Sequence, residues 1–203
     1  MRKIAILFIS SLLLFTSCKN ESLPRYGHHD TNPDTGEIEY HQIPEFSFVN
    51  QDEKIITQEY LDNKITIVDF FFTTCPSICP DMTKSMRKLQ EDLKEYPEIQ
   101  FLSHTVDPKT DTVEKLKRYA QKFKINTQNW SLVTGNKDDI YDLGVNYYML
   151  PAQEDALAPG GFLHSEYFVI IDENRNHRGF YSGLIPREMD SLKRDLFTLM
   201  NEK

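Results

Sequence analysis

Two cysteines, Cys75 and Cys79, stand four residues apart in the stretch 69–80, DFFFTTCPSICP, each followed by a proline. Sulfurs at that spacing lie on one face of a helix, so the pair can close a disulfide or grip one soft metal ion. The flanking pattern favours a reactive location. Residues 65–72 are β-branched and aromatic, long enough for one buried strand that stops at Thr73-Thr74. Beyond Pro80 the period changes: Met82, Met86, Leu89 and Leu93 repeat as one face of a helix expected over 81–96, near Pro97. Strand, turn, cysteines and helix in that order put both sulfurs at the carboxyl edge of a sheet, beside a helix N-terminus. The partial positive charge and free N–H groups there favour thiolate over thiol. The plain alternative is two inert, buried cysteines, for which a proline-flanked turn is a poor setting.

The third cysteine has a different context. Cys18 follows the short apolar stretch 4–15, which is preceded by Arg2 and Lys3, with Thr16 and Ser17 just before it. That order resembles a bacterial lipoprotein signal, in which residues 1–17 are removed and lipid joins the Cys18 sulfur. Phe15 stands where leucine is usual, and the alternatives are an ordinary signal peptide or an uncleaved anchor. All three place the domain outside the cytoplasm, and the lipid form ties it to a bacterial membrane surface, on the periplasmic side, without a spanning helix. Outside the cytoplasm, two nearby cysteines drift to a disulfide unless a reductant or a metal holds them, so Cys75 and Cys79 are a redox or metal pair by default. The net charge of −8, or −10 without Arg2 and Lys3, excludes a basic nucleic-acid face.

In order along the chain, residues 18–42 are polar and interrupted by Pro24, Gly27, Pro33 and Gly36, and read as a flexible tether. Their histidines, His28, His29 and His41, read as solvated side chains more readily than as a second metal site. Residues 43–203 form the domain. It opens with a β-hairpin through Phe46, Phe48, Ile55 and Ile56. Strands are expected at 65–72, 99–106, 130–133, 166–171 and 180–182, and helices at 81–96, after Asp111 or Thr112, at 137–143 and at 185–200. Glu114 falls where a capping box from Asp111 would place it. Strands alternating with helices, ending in a hairpin and a helix, make an α/β fold with a mixed central sheet flanked by helices, and the cysteine turn suggests a thioredoxin-like one. Residues 147–162 are the one long irregular segment. It leads into His164, which by itself reads as a surface histidine.

Four separated segments agree on one family: TTCPSICP at 73–80, VDPKTDT at 106–112, SLVTG at 131–135 and HSEYFVIID at 164–172. In these the chain resembles the Sco (SenC-like) proteins, thioredoxin-fold copper proteins tied to assembly of cytochrome c oxidase. The resemblance implies a copper site, for Cu(I) and Cu(II), made by Cys75, Cys79 and His164. It also implies an acidic group, Asp107, just outside the ligands, although Asp107 serves equally well as a turn former before Pro108. Two positions depart from the family pattern. Asp69 interrupts an apolar strand, either as a buried carboxylate serving the cysteines or on an edge, and Phe71 stands where glycine is common. The expected function is a membrane-tethered copper-binding protein that delivers copper to a respiratory oxidase subunit or prepares its copper site. The competing one is a thiol-disulfide oxidoreductase acting on exported proteins, served by a thiol reductant. A pure dithiol reductase has no use for a distant histidine, which makes His164 the residue that separates the two.

Overall fold

The computed structural model describes residues 22–202; Cys18 lies outside them. Its centre is a seven-stranded mixed sheet. A two-stranded hairpin, β1 (Asp30–Thr31) with β2 (Ile38–Glu39), precedes it. The sheet strands are β3 (Ser47–Asn50), β4 (Ile55–Thr57), β5 (Ile65–Phe71), β6 (Ile99–Thr105), β7 (Trp130–Thr134), β10 (Tyr167–Ile171) and β11 (His177–Ser182), with β8 (Ala152–Glu154) and β9 (Phe162–His164) forming a separate hairpin. The sheet order is β11-β10-β5-β6-β7-β3-β4. β5, β6 and β7 run parallel, and both flanks are antiparallel. Four helices complete the α/β architecture: α1 (Cys79–Asp92), α2 (Val113–Phe123), α3 (Lys137–Asp142) and α4 (Pro186–Met200). The fold is thioredoxin-like, as the strand and helix order predicts.

Every residue of β5 and β6 is buried, the pattern of central strands covered on both faces, and this explains why β5 reads as a continuous apolar run rather than an alternation. α1 begins earlier than the periodicity alone suggests, at Cys79. Pro80 needs no hydrogen-bond acceptor and its fixed φ suits the first turn, so the helix starts ahead of Asp81. α1 ends at Asp92, and Leu93 and Tyr96 continue only as single turns. At α2 the cap is Thr112, whose side chain accepts from Lys115 N–H, and Asp111 does not form the expected capping box. The segment 147–162 is not irregular. It contains β8 and the first residue of β9, paired Ala152↔His164, Gln153↔Leu163 and Glu154↔Phe162 around a tight turn at Pro159–Gly161. Three-residue strands among Pro, Gly and Ala are too short to show a period.

The described part of the expected tether, residues 22–42, is fastened along the edge of the sheet. Tyr26 N–H donates to His177 O at 2.8 Å, and Gln42 pairs with Asn176. Arg178, 3 % exposed, donates to the carbonyls of Leu23 (2.7 Å) and Pro24 (3.1 Å) and to the carboxylates of Asp172 (2.8 Å) and Glu202 (2.6 Å). One guanidinium thus joins the arm, β11 and the end of α4. Composition suggested a loose segment because these clamps are main-chain acceptors, which no residue type signals. The arm enters at the pole where β5 begins, since His177 pairs Ile171 and Ile171 pairs Thr66.

Arg178→Ala leaves the buried Asp172 and the partly buried Glu202 without their cation. It is expected to lower unfolding free energy by about 3–5 kcal/mol and to speed proteolysis within 22–42. Denaturant unfolding and limited digestion read both effects, and wild-type values in both would refute the clamp.

Candidate metal centre

The site lies at the opposite pole, where β5 ends. Phe72 O accepts from Cys75 N–H at 3.2 Å, closing the turn that carries the first cysteine, and Cys79 is the first residue of α1. The turn is held from behind by Asp111. Its carboxylate accepts from Thr73 N–H at 3.0 Å, from Thr105 Oγ1 at 2.5 Å and from the Thr73 hydroxyl. Asp111 is fully buried, and its sequence position read only as a helix cap; nothing local marks it as a brace for the cysteine turn.

His164, the last residue of β9, reaches the cysteines from above. The Sγ atoms of Cys75 and Cys79 and one ring nitrogen of His164 all lie within 4.8 Å of one another, and no other such cluster of three occurs among the described residues. His164 Nε2 is 3.9 Å from Cys75 Sγ and 3.0 Å from Cys79 Sγ. Nδ1 lies 3.0 Å from the carbonyl of Ser165. A carbonyl only accepts, so Nδ1 carries the proton and the Nε2 lone pair faces the sulfurs, the tautomer a metal ligand needs. The cysteines are unbridged.

The two sulfurs are not equivalent. Cys79 is 1 % exposed and Cys75 9 %. The Cys75 pKa is lowered, chiefly by the neighbouring Cys79 thiol and further by the backbone at Ser77 and Cys79. The Cys79 pKa is raised, first by that same pairing with Cys75, then by burial, with the charges of Cys75 and Asp69 adding to it. Ionisation is therefore favoured at Cys75, the more exposed sulfur, over Cys79 behind it.

Asp69 is buried, not on an edge. It accepts from Ser103 Oγ at 2.5 Å, and that hydroxyl accepts from Trp130 Nε1 at 2.9 Å. Burial pushes its carboxyl up to about 6 against an ordinary value of 3.8, with the Ser103 hydrogen bond opposing. Asp107 is taken up by its own turn: its Oδ1 accepts from Thr110 N–H at 3.2 Å. Phe71 packs on Tyr119 at 5.1 Å between ring centroids, so a large side chain occupies this strand position. His28 lies 3.4 Å from Asp30 on an exposed stretch, His29 packs on Tyr40, and His41 stacks on Tyr147; none of them joins the metal cluster.

Residues 35–200 match the family model described as SCO1/SenC. The chain belongs to the SCO1/SenC family. A solved structure of a SCO1/SenC family lipoprotein from Bacillus anthracis superposes with a TM-score of 0.72 at 34 % identity, covering 78 % of this chain and 95 % of that one. BsSco, described as having a disulfide switch and as a member of the Sco family of cytochrome c oxidase assembly proteins, gives 0.71 at 27 % identity, covering 80 % and 95 %. Arabidopsis thaliana ScoI, solved with copper bound, gives 0.65 at 25 % identity, covering 79 % and 98 %.

Because the native pKa of Asp69 lies above its ordinary value, the carboxyl favours the folded chain fully below pH 3.8. That contribution is lost as pH rises through about 6. Asp69→Asn in the metal-free chain is expected to flatten this decline and to raise stability at neutral pH by at most about 3 kcal/mol. Unfolding measured across that pH range checks it, and a variant less stable at neutral pH would show that the charge is compensated.

Proposed function

We propose that this chain is a membrane-tethered, extracytoplasmic copper-binding protein that delivers copper to cytochrome c oxidase or prepares its copper site. The observation that carries the reading is the convergence of two sulfurs and an imidazole lone pair within 4.8 Å. Metal–sulfur bonds of about 2.3 Å and metal–nitrogen bonds of about 2.0 Å at trigonal angles separate sulfur from nitrogen by roughly 3.8 Å. The Cys75–His164 separation of 3.9 Å matches that spacing. The 3.0 Å from Cys79 to His164 is shorter than that spacing, so His164 would draw back to admit a metal between them. Two thiolates and one imidazole are soft enough for Cu(I) and also hold Cu(II). Membership of the SCO1/SenC family and the copper-bound relative support the same cargo.

Copper leaves by ligand exchange. Cys75 is the more exposed of the two sulfurs, so an incoming thiol of the acceptor meets it before Cys79, and His164 is the ligand carried on a separate hairpin. The chain's net negative charge suits a basic face on the oxidase subunit.

Lipid at Cys18 is the tether in this reading. No described helix is long and apolar enough to cross a membrane. Ser22 follows Cys18 by four residues, an extended reach of about 14 Å, and the arm joins the pole opposite the cysteines. The centre would then face away from the bilayer, with the seven residues of β5 spanning roughly 20 Å between the poles.

A second reading is favoured by the cysteine asymmetry and by the disulfide switch of BsSco. In a thiol-disulfide oxidoreductase, the Cys75 thiolate would attack a target disulfide and Cys79 would resolve the mixed disulfide. The chain would be left oxidised, and an external dithiol reductant would be needed to reset it.

The deciding measurement is copper stoichiometry and affinity on the reduced full chain. One copper per chain is expected, with Cys75→Ser and Cys79→Ser each weakening it by about a hundredfold or more, as loss of a first ligand does, and His164→Ala doing the same for Cu(II). Absent copper binding with a readily reduced Cys75–Cys79 disulfide, indifferent to His164→Ala, would leave the oxidoreductase. Cys18→Ser is expected to move the chain from the membrane fraction to the soluble one; an unchanged distribution would remove the lipid tether.

A further inference from the structure

The two halves of the centre come from segments 85 to 89 residues apart, and one side chain touches both. Phe72 is fully buried at the end of β5, and its carbonyl closes the Cys75 turn. Three alternate residues of the segment carrying His164 rest on its ring. Phe162 packs on it at 5.1 Å between centroids, tilted by 54°. His164 stands edge-on at 5.7 Å and 84°. A Cβ placed on Gly160 would lie 2.9 Å from the Phe72 ring and 3.0 Å from Pro76, so the chain passes there because glycine has no side chain. Gly160 and Gly161 both hold positive φ, +80° and +88°, the conformations at which this turn can be made. The hairpin has few other anchors near its tip, where Leu157 is 95 % exposed.

With Cys75, Cys79 and His164 taken as the copper ligands, we infer that Phe72 is a positioning residue, a latch that holds the β8–β9 hairpin closed so that His164 is presented to the sulfurs. The latch sets which oxidation state of copper the centre favours. Cu(I) is satisfied by two thiolates, which the cysteine turn supplies alone. Cu(II) prefers more ligands and a harder nitrogen donor, and so depends on the imidazole being in place. When the hairpin is docked only part of the time, apparent affinity for the species that needs His164 falls by that fraction. Weakening the latch therefore discriminates against Cu(II) while sparing Cu(I).

Phe72→Leu removes the ring from below, and Gly160→Ala pushes the hairpin off it from above. The second variant leaves the core strand intact should the first fold poorly. In the full chain each is expected to weaken Cu(II) by about tenfold, as for a hairpin docked a tenth of the time. Each should also move the Cu(II) paramagnetic resonance spectrum toward that of His164→Ala, with Cu(I) affinity, read by chelator competition, changed by less than about threefold. Added to His164→Ala, Phe72→Leu should cost nothing more, because the latch acts through that histidine. In the metal-free chain, both variants should speed hydrogen exchange in the β8–β9 ladder while β5–β6 stays protected. Equal losses of Cu(I) and Cu(II), a wild-type spectrum in Phe72→Leu, or full additivity with His164→Ala would each overturn the latch. A wild-type chain that takes no copper would instead overturn the copper reading. Unchanged hairpin exchange in both variants would then overturn the latch separately.

Discussion

A pair of adjacent sulfurs at the start of a helix, ionisation favoured at one and disfavoured at the other, is the interaction to which the rest of this fold answers. Cys79 and the backbone around the first turn of α1 favour negative charge on Cys75, in a place that is 9 % exposed. A thiolate so placed needs a rigid support, because a shift of an ångström loses its donors. The support is built from buried polar groups. Asp111 braces Thr73 and Thr105, so the strand ends of β5 and β6 and the entry to α2 are tied to the same carboxylate. Thr83 Oγ1 donates to Cys79 O at 2.8 Å and pairs with the Tyr119 hydroxyl at 2.7 Å, linking α1 to α2 just behind the pair.

The same geometry limits how much negative charge the site tolerates. Cys75, Asp69 and a second thiolate at Cys79 would lie close together in a medium that screens them poorly. The protein relieves this by keeping Cys79 protonated and by raising the Asp69 carboxyl. A cation that replaces the Cys79 proton answers the same problem more completely, since it neutralises both sulfurs at once. Metal capture and proton retention are alternative ways to satisfy one buried pair, which is why a single site carries both a copper and a redox reading.

Mechanical separation of the two poles is the other organising feature. At one end, Arg178 gathers the arm, β11 and the end of α4 around a buried charge cluster. At the other end, the cysteine turn and the hairpin of His164 meet over Phe72. The fully buried β5 and β6 run between them. The anchoring end and the metal-handling end thus share a stiff parallel core, and motion of the hairpin does not require motion of the arm.

The sequence alone determined the sulfur pair, its place after a buried strand and before a helix, the α/β order of elements and the candidate third ligand. Each is a local matter: residue types, a period of 3.6 against a continuous apolar run, and motifs of a few residues. It did not reveal the β8–β9 hairpin, because three-residue strands carry no period, nor the docked arm, because Leu23 and Pro24 are held through carbonyls that every residue possesses. Only the tertiary structure decided that Asp69 is buried beneath the site rather than on an edge, because β5 lies between β10 and β6. Tertiary packing also decided that Asp111 braces the turn and that the setting favours charge on Cys75 over Cys79. Those outcomes depend on which groups from distant segments become neighbours and on how far water is excluded between them, and no spacing along the chain encodes either.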